Sequence, residues 1–394
     1  MRKSKKAKLA MAVFVILVWC FVLFGLFNQN RPKVLPAVAG RLDYGLVWYG
    51  FNGQSQKDIV EIPQPYFDPA RPTVIFIHGW MPDQVGEPPT FMVDFPALGE
   101  DTTYTFDLAA SWVGAGWNIG IFYWHPFSDE EFVWNAEDKI WTADAEVGMR
   151  YRDMGGNYHT EAVPNVSVTQ LLSDAYLEAM QDYAGPEIRI AGHSLGNQLA
   201  VNLTSELIER ANAGSVSRNL IPTRIALLDP FWSPFPKPYL GELETGEVVQ
   251  QKIEQVILPQ NVVVEWYRSS LLTESTMIRD EIPELKTQVL YAELEPRYCD
   301  FLDQVCKHDG AWQLYFLSYA SSPPPECIPD EFTETCEPTG EYGPSASTDN
   351  QRIAEMMTSP YYWVQDVGPD SLDGRFTPQT DDDWFYRLPL SEVE

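Results

Sequence analysis

Residues 192–196, Gly-His-Ser-Leu-Gly, carry the clearest chemical signal in the chain. Glycines at this spacing around a serine are typical of the sharp turn that projects a serine nucleophile between a strand and a helix. A Cβ atom at Gly192 or Gly196 would collide with neighbouring backbone in such a turn. A short apolar run precedes it, and apolar residues at every fourth position from 195 to 211 predict the following helix. We therefore predict that Ser194 is a nucleophile for acyl transfer.

A serine hydroxyl needs a general base, and histidine is the usual one near neutral pH. His308 is the histidine that follows Ser194 in the chain, and α/β-hydrolases have the order serine, acid, histidine. We predict that His308 is the base, on a loop between Cys306 and a helix at 312–319. The other four histidines are expected outside the proton transfer, His78 and His193 as structural neighbours and His125 and His159 in loops or against aromatic rings.

The acid that orients the histidine is expected at the carboxyl end of a buried parallel strand, because ligand sites lie there. Asp229 ends the apolar strand predicted at 224–229 and is the preferred candidate. An Asp-Pro turn that only terminates the strand is the alternative reading of this position. Glu265, which closes the apolar run 262–264, is the alternative acid.

Acyl transfer also requires backbone N–H donors for the oxyanion. One donor is expected from Leu195, the residue after the nucleophile, and the other from the loop after an early strand. That loop is predicted at His78-Gly79-Trp80, so the second donor is assigned to the N–H of Trp80.

The remaining pattern predicts an α/β-hydrolase fold with a mostly parallel, doubly wound sheet. Buried strands are predicted at 73–77, 117–124, 224–229 and 262–266, and helices at 143–153 and 168–183. Strands and helices alternate along the chain, which is typical of parallel sheets.

The N-terminus predicts a membrane anchor. Residues 9–27 form a 19-residue stretch without charge, about 28 Å as a helix against a hydrocarbon core of about 30 Å. Five basic residues precede it, so the rest of the chain should be translocated. A cleaved signal peptide ending at Ala39 is the alternative, which would give a secreted protein. The net charge of −29 argues against nucleic-acid binding.

Four cysteines lie in the translocated part, as expected for an exported protein. We predict the pairs Cys299–Cys306 and Cys327–Cys336, because neighbours in sequence close small loops. The cysteine spacing does not fit a zinc site, and no metal or organic cofactor is expected.

Four blocks together resemble the pancreatic-lipase-like family of α/β-hydrolases: residues 74–80, 192–196, 228–230 and 306–308. The resemblance spans about Tyr44 to Ala320. The family holds triacylglycerol lipases, phospholipases of the A1 type and yolk proteins that have lost activity. The resemblance implies the triad Ser194, Asp229 and His308, with Trp80 and Leu195 at the oxyanion hole.

Two departures bear on the substrate. Family lipases carry an amphipathic lid between two cysteines before the histidine, but only six residues separate Cys299 from Cys306 here. The C-terminal β-sandwich of family lipases is also not recognisable. Both departures favour phospholipids or soluble esters over triacylglycerol droplets. Acyl-pocket candidates are Phe231, Trp232 and Phe235, although ordinary core packing explains them equally well.

The expected function is hydrolysis of lipid carboxylic esters. The alternatives are a catalytically silent lipid-binding homologue and another acyl hydrolase or transferase on the same fold. The chain divides into a basic segment (1–8), an anchor (9–27), a stem (28–45), a catalytic domain (46–322) and a loop-rich extension (323–394).

Overall fold

The computed structural model describes residues 42–59, 62–96, 103–153, 155–272, 282–329, 336–367 and 383–392. The predicted anchor at 9–27 lies outside these ranges. Within them, no helix combines the length and the apolar character needed to cross a membrane.

The described residues form a mixed α/β structure around one large sheet. Its strands are β1 (Gly45–Tyr49), β2 (Ser55–Lys57), β3 (Thr73–Ile77), β6 (Asn118–Tyr123), β9 (Ile188–His193), β10 (Arg224–Leu228), β11 (Val263–Arg268), β12 (Leu290–Glu293), β13 (Pro325–Pro329), β14 (Cys336–Tyr342), β15 (Tyr361–Asp366) and β16 (Trp384–Pro389). Two short hairpins stand apart, β4 (Met92–Pro96) with β5 (Thr103–Asp107) and β7 (Tyr151–Arg152) with β8 (Tyr158–His159).

The large sheet is mostly parallel. Its spatial order is β14-β13-β16-β15-β12-β11-β10-β9-β3-β6-β1-β2, and neighbouring strands run parallel from β6 through to β15. Antiparallel pairs occur towards both edges, where β1 pairs with β6 and β15 pairs with β16. The strand predictions at 73–77, 117–124, 224–229 and 262–266 are confirmed to within two residues at each end.

Helices cover both faces of this sheet. They are α1 (Leu108–Gly114), α2 (His125–Ser128), α3 (Val133–Trp141), α4 (Val168–Ala179), α5 (Gly196–Asn212), α6 (Thr245–Lys252), α7 (Pro283–Lys286), α8 (Gln304–Leu317) and α9 (Asn350–Met357). Helices α4 and α5 supply one hydrophobic core, and α1, α8 and α9 supply the other.

Strand β3 shows why this sheet is buried on both faces. Ile75 and Ile77 pack into the core with α4 and α5, whereas Val74 and Phe76 pack into the opposite core. All four side chains are at most 1% exposed. Each contributes about 1.5–3 kcal/mol through burial, so a continuous apolar run is the stable sequence for this position.

Two predictions of local structure are wrong. Residues 143–153 form turns and strand β7 instead of a helix, and Gly148 there has a φ of 59°, outside the helical region. His308 lies inside helix α8 rather than on a loop before it. That helix begins early because the Asp303 side chain caps it, accepting the N–H of Cys306 at 3.0 Å.

The C-terminal part of the described chain extends the same sheet. Strands β13 to β16 and helix α9 lie between residues 325 and 389, within the stretch 323–394 whose sequence predicts a loop-rich extension. A disulfide between Cys327 and Cys336 joins β13 to β14, and a second joins Cys299 to Cys306. Both predicted cysteine pairings are confirmed.

The register brings the predicted site residues to one edge. Ile77 lies opposite Gly192, and Leu228 lies opposite both His193 and Tyr267. The residues that follow β3, β9, β10 and β11 therefore share the carboxyl edge of the sheet, where ligand sites of parallel sheets lie.

Candidate active site

Ser194 lies on a sharp turn between β9 and α5. Its φ is 54°, in the left-handed region, and its N–H donates to the carbonyl of Leu228 at 3.1 Å. A Cβ atom on Gly192 would lie 2.5 Å from the carbonyl oxygen of Gly196, and one on Gly196 would lie 2.1 Å from that of Ile77. Only glycine fits at both positions, as the sequence analysis predicts.

Asp229 and His308 meet at the same edge. His308 Nδ1 lies 2.6 Å from Asp229 Oδ2, although 79 residues separate them. Asp229 is fully buried and has a φ of 43° directly after β10. A carboxylate in this position accepts the Nδ1–H and leaves Nε2 free of a proton, the tautomer that a general base requires.

Opposing effects set the protonation of His308. Burial lowers its pKa, but the hydrogen bond and the charge of Asp229 raise it, and Asp309 adds to this. The net result is a pKa above the ordinary 6.5. The imidazolium is therefore stabilised, as proton abstraction from a nucleophile requires.

His193 links His308 to the turn that carries the nucleophile. Its Nε2 donates to the backbone carbonyl of His308 at 3.0 Å, and the two rings lie 4.4 Å apart between centroids. Among the described residues, the Ser194 hydroxyl has no hydrogen-bond partner, so its contact with His308 is not formed in this structure. Such contacts often tighten only when substrate is bound.

The loop after β3 lies directly against the nucleophile. A Cβ atom on Gly79 would lie 2.6 Å from Ser194 Cβ and 3.1 Å from its Oγ. The ring of His78 makes a hydrogen bond from Nδ1 to the Gly79 carbonyl at 2.9 Å. Because C=O and N–H point in opposite directions across a trans peptide, this bond directs the Trp80 N–H away from His78.

The predicted oxyanion donors remain predictions. Leu195 is the N-cap residue of helix α5, and its N–H has no acceptor in the described part of the chain. Trp80 is anchored through its side chain, whose Nε1 donates to the carbonyl of Glu130 at 2.7 Å. A helix N-terminus beside a second N–H is suited to an oxyanion.

Glu265 does not lie at the site. It is opposite Ala226 within the sheet, and both of its carboxylate oxygens accept from the buried guanidinium of Arg224 at 2.8 and 2.5 Å. The hydroxyl of Tyr267 donates to it as well, at 2.9 Å. The structure therefore pairs His308 with Asp229 and gives Glu265 a structural role.

The three acyl-pocket candidates differ in position. Trp232 is 2% exposed and packs edge-on against Trp266, which is ordinary core packing. Phe235 is 71% exposed. Phe231 adjoins the nucleophile, because its N–H donates to the Ser194 carbonyl at 3.3 Å.

The other histidines are held by local contacts. Burial lowers the pKa of both His78 and His125 to about 3, so both are neutral. His125 starts helix α2 and lies edge-on to Tyr123, whereas His159 stacks on Tyr151 in the β7–β8 hairpin.

Sequence reasoning missed two buried serines that follow β11. Ser269 donates its N–H to Asp229 Oδ1 at 3.2 Å, and Ser270 donates its hydroxyl to Asp229 Oδ2 at 2.5 Å. Their signal is their place at the carboxyl end of a predicted strand next to the acid strand. In the described ranges, no group of three or more His, Cys, Asp or Glu side chains is placed to hold a metal ion.

Solved structures of low sequence identity are similar to this chain. No family model and no curated protein matches the chain. Among solved structures, ESTFA in its iron-lacking apo form is 12% identical, with 77% of this chain and 90% of that chain covered and a TM-score of 0.30. The poly(3-hydroxybutyrate) depolymerase LpqC of Bordetella parapertussis is 12% identical (56% and 63% covered, TM-score 0.27). A bacterial brefeldin A esterase is 13% identical (73% and 77% covered, TM-score 0.26).

Three features of this chain define its fold and its candidate site: the strand order of the large sheet, the strained serine turn after β9 and the Asp229–His308 pair. These features place a strained serine and an Asp–His pair at the carboxyl edge of a mostly parallel sheet.

Proposed function

We propose that the protein is a serine hydrolase of carboxylic esters. Ser194 attacks the ester carbonyl, and His308 takes the hydroxyl proton at Nε2 and then returns it to the leaving alkoxide. Asp229 orients the ring and stabilises the imidazolium, and water then resolves the acyl-enzyme by the same route. The observation that carries the proposal is the Asp229–His308 hydrogen bond, held beside the serine turn by His193.

Lipid esters are the proposed substrate class. The disulfide-closed loop 299–306 precedes His308 and presents Phe301 and Leu302, which are 80% and 84% exposed. Leu271, 59% exposed, is tied to this loop because its N–H donates to Gln304 Oε1 at 2.8 Å. Exposed apolar side chains next to a site are suited to contact with an aggregated lipid.

Charge refines this proposal. The net charge of −29 opposes binding to anionic lipid surfaces. Neutral or zwitterionic lipids are therefore the proposed substrates. Residues 9–27 are the proposed anchor that keeps the catalytic part on the extracytoplasmic side; a mature protein that begins at Gly40 would contradict this.

The test compares three substrates with the full-length protein in detergent: a short p-nitrophenyl ester, a triacylglycerol emulsion and phosphatidylcholine vesicles. We expect Ser194→Ala to abolish hydrolysis of every substrate that the wild type cleaves. No ester hydrolysis by the wild type would contradict the proposal and favour a silent lipid-binding protein.

A double variant, Phe301→Ser with Leu302→Ser, tests the lipid contact. Burial of one such side chain contributes about 1.5–3 kcal/mol, so we expect at least a tenfold loss on aggregated lipid with the short ester unaffected. Tyr342→Ser on the outer strand β14, 58% exposed, is the matched control. Equal losses on both substrate types would contradict the lipid assignment.

A further inference from the structure

Two buried serines follow strand β11; the Ser270 hydroxyl contacts the acid, and the Ser269 hydroxyl contacts the residue before the base. Ser269 and Ser270 are 8% and 2% exposed. Ser270 Oγ donates to Asp229 Oδ2 at 2.5 Å, the same oxygen that lies 2.6 Å from His308 Nδ1. One carboxylate oxygen thus serves both a neutral donor and the imidazole.

Ser269 completes the arrangement through different atoms. Its backbone N–H donates to Asp229 Oδ1 at 3.2 Å, and its hydroxyl donates to the Lys307 carbonyl at 2.6 Å. The backbone contact does not depend on the side chain. The hydroxyl contact fixes the peptide just before His308 rather than the carboxylate.

We propose that Ser270 is a positioning residue that sets how strongly His308 holds its proton, by donating to the carboxylate oxygen that the imidazole also uses. This inference rests on the proposed function in its use of His308 as the base. It goes beyond that function because it gives Ser270 a role in addition to the roles of Ser194, Asp229 and His308.

The physical basis is the sharing of one charged acceptor. Each donor to a carboxylate oxygen draws on its negative charge and thereby weakens the stabilisation of an adjacent imidazolium. The donation from Ser270 also fixes the carboxylate plane, so that Oδ2 stays aligned with Nδ1. Without that donor, the charge of Asp229 acts more fully on His308, which then holds its proton to higher pH.

Among the residues that the structure describes, three charged or titratable groups lie around His308. Asp229 faces it from the end of β10, His193 from the serine turn, and Asp309 is its neighbour on α8. Lys307 points its ammonium group to Glu295 at 3.2 Å. Ser270 is uncharged, so its removal changes no charge in this set.

Ser270 also makes a contact within the loop that follows β11. Its Oγ accepts the N–H of Leu272 at 3.3 Å. A purely structural role would therefore lower the thermal midpoint of Ser270→Ala without moving the titration of His308. The experiment must separate these two effects.

The test measures the pKa of His308 by NMR of the full-length chain labelled with ¹⁵N-histidine, with His308→Gln for assignment. We expect Ser270→Ala to raise this pKa by about 0.5 to 1 unit and Ser270→Thr, which keeps the hydroxyl, to restore it. Ser269→Ala is the matched control, because it removes a buried hydroxyl from the same strand end but none from the carboxylate. It should leave the His308 pKa in place.

The pH dependence of inactivation by a fluorophosphonate is the second readout, and its midpoint should move upwards in Ser270→Ala by the same amount. An unchanged His308 pKa in Ser270→Ala, or an equal shift in Ser269→Ala, would overturn the inference. A wild-type chain that the probe does not label would instead contradict the proposed function, and the NMR titration would still decide the role of Ser270.

Discussion

A single methyl group on Gly79 tests the geometry of the site. The Cβ atom of Gly79→Ala would lie 2.6 Å from Ser194 Cβ and 3.1 Å from the His193 carbonyl oxygen. Non-bonded carbon atoms are at rest at about 3.5–4.0 Å. The loop after β3 and the serine turn must therefore separate by about 1 Å.

The cost follows from what that separation moves. Ser194 is fixed by its N–H donation to Leu228 and by the glycines on either side, so the loop with Trp80 is the part that must move. Oxyanion donors act at about 2.7–3.1 Å, and a shift of about 1 Å removes the Trp80 N–H from that range. We expect kcat to fall by about 10²–10³, equal to about 2.7–4 kcal/mol.

The assay is hydrolysis of a short p-nitrophenyl ester, with the thermal midpoint measured on the same samples. Gly114→Ala is the matched control, because a Cβ atom at Gly114 has no neighbour within 4 Å. Activity of Gly79→Ala within threefold of this control would refute the placement of the loop against the nucleophile.

Three further predictions concern the acids and histidines. Glu265→Gln should lower the free energy of unfolding by about 3–5 kcal/mol, because it leaves the Arg224 guanidinium buried without its charged partner. Its kcat should stay unchanged. Asp229→Asn, in contrast, should lower kcat about 10⁴-fold. Burial lowers the pKa of His308, but Asp229 outweighs this effect and leaves the pKa raised. Activity should therefore rise with pH through a midpoint above 6.5. A midpoint below 6 would contradict the pairing of Asp229 with His308. Burial lowers the pKa of His78 and His125 to about 3, so the unfolded chain binds their protons first. The stability that these two neutral histidines contribute should be complete above pH 6.5 and fall below it by about 1.4 kcal/mol per pH unit for each histidine, and His125→Gln should remove one such contribution from urea unfolding.

The parts of the site that the sequence predicted are those with strict steric or topological requirements. The glycines at 192 and 196 are required because carbonyl oxygens lie where a Cβ atom would be. Asp229 is predictable because it ends an apolar strand of a parallel sheet. These rules depend on residue type and order alone.

Other parts depend on contacts between distant segments. The sequence predicts a helix at 312–319, but the Asp303 cap and the Cys299–Cys306 disulfide favour a start at Gln304, eight residues earlier, with His308 inside helix α8. Strand β14 is polar and largely exposed, so it has no apolar pattern to detect. It is a strand because it pairs with β13 and is bound to it by a disulfide.

The most direct measurement is mass spectrometry of the full-length protein after reaction with a fluorophosphonate. We predict one adduct on the peptide that contains Ser194, none in Ser194→Ala, and a greatly slowed reaction in His308→Gln. An adduct on another residue, or undiminished labelling in His308→Gln, would contradict the assignment of the nucleophile and its base.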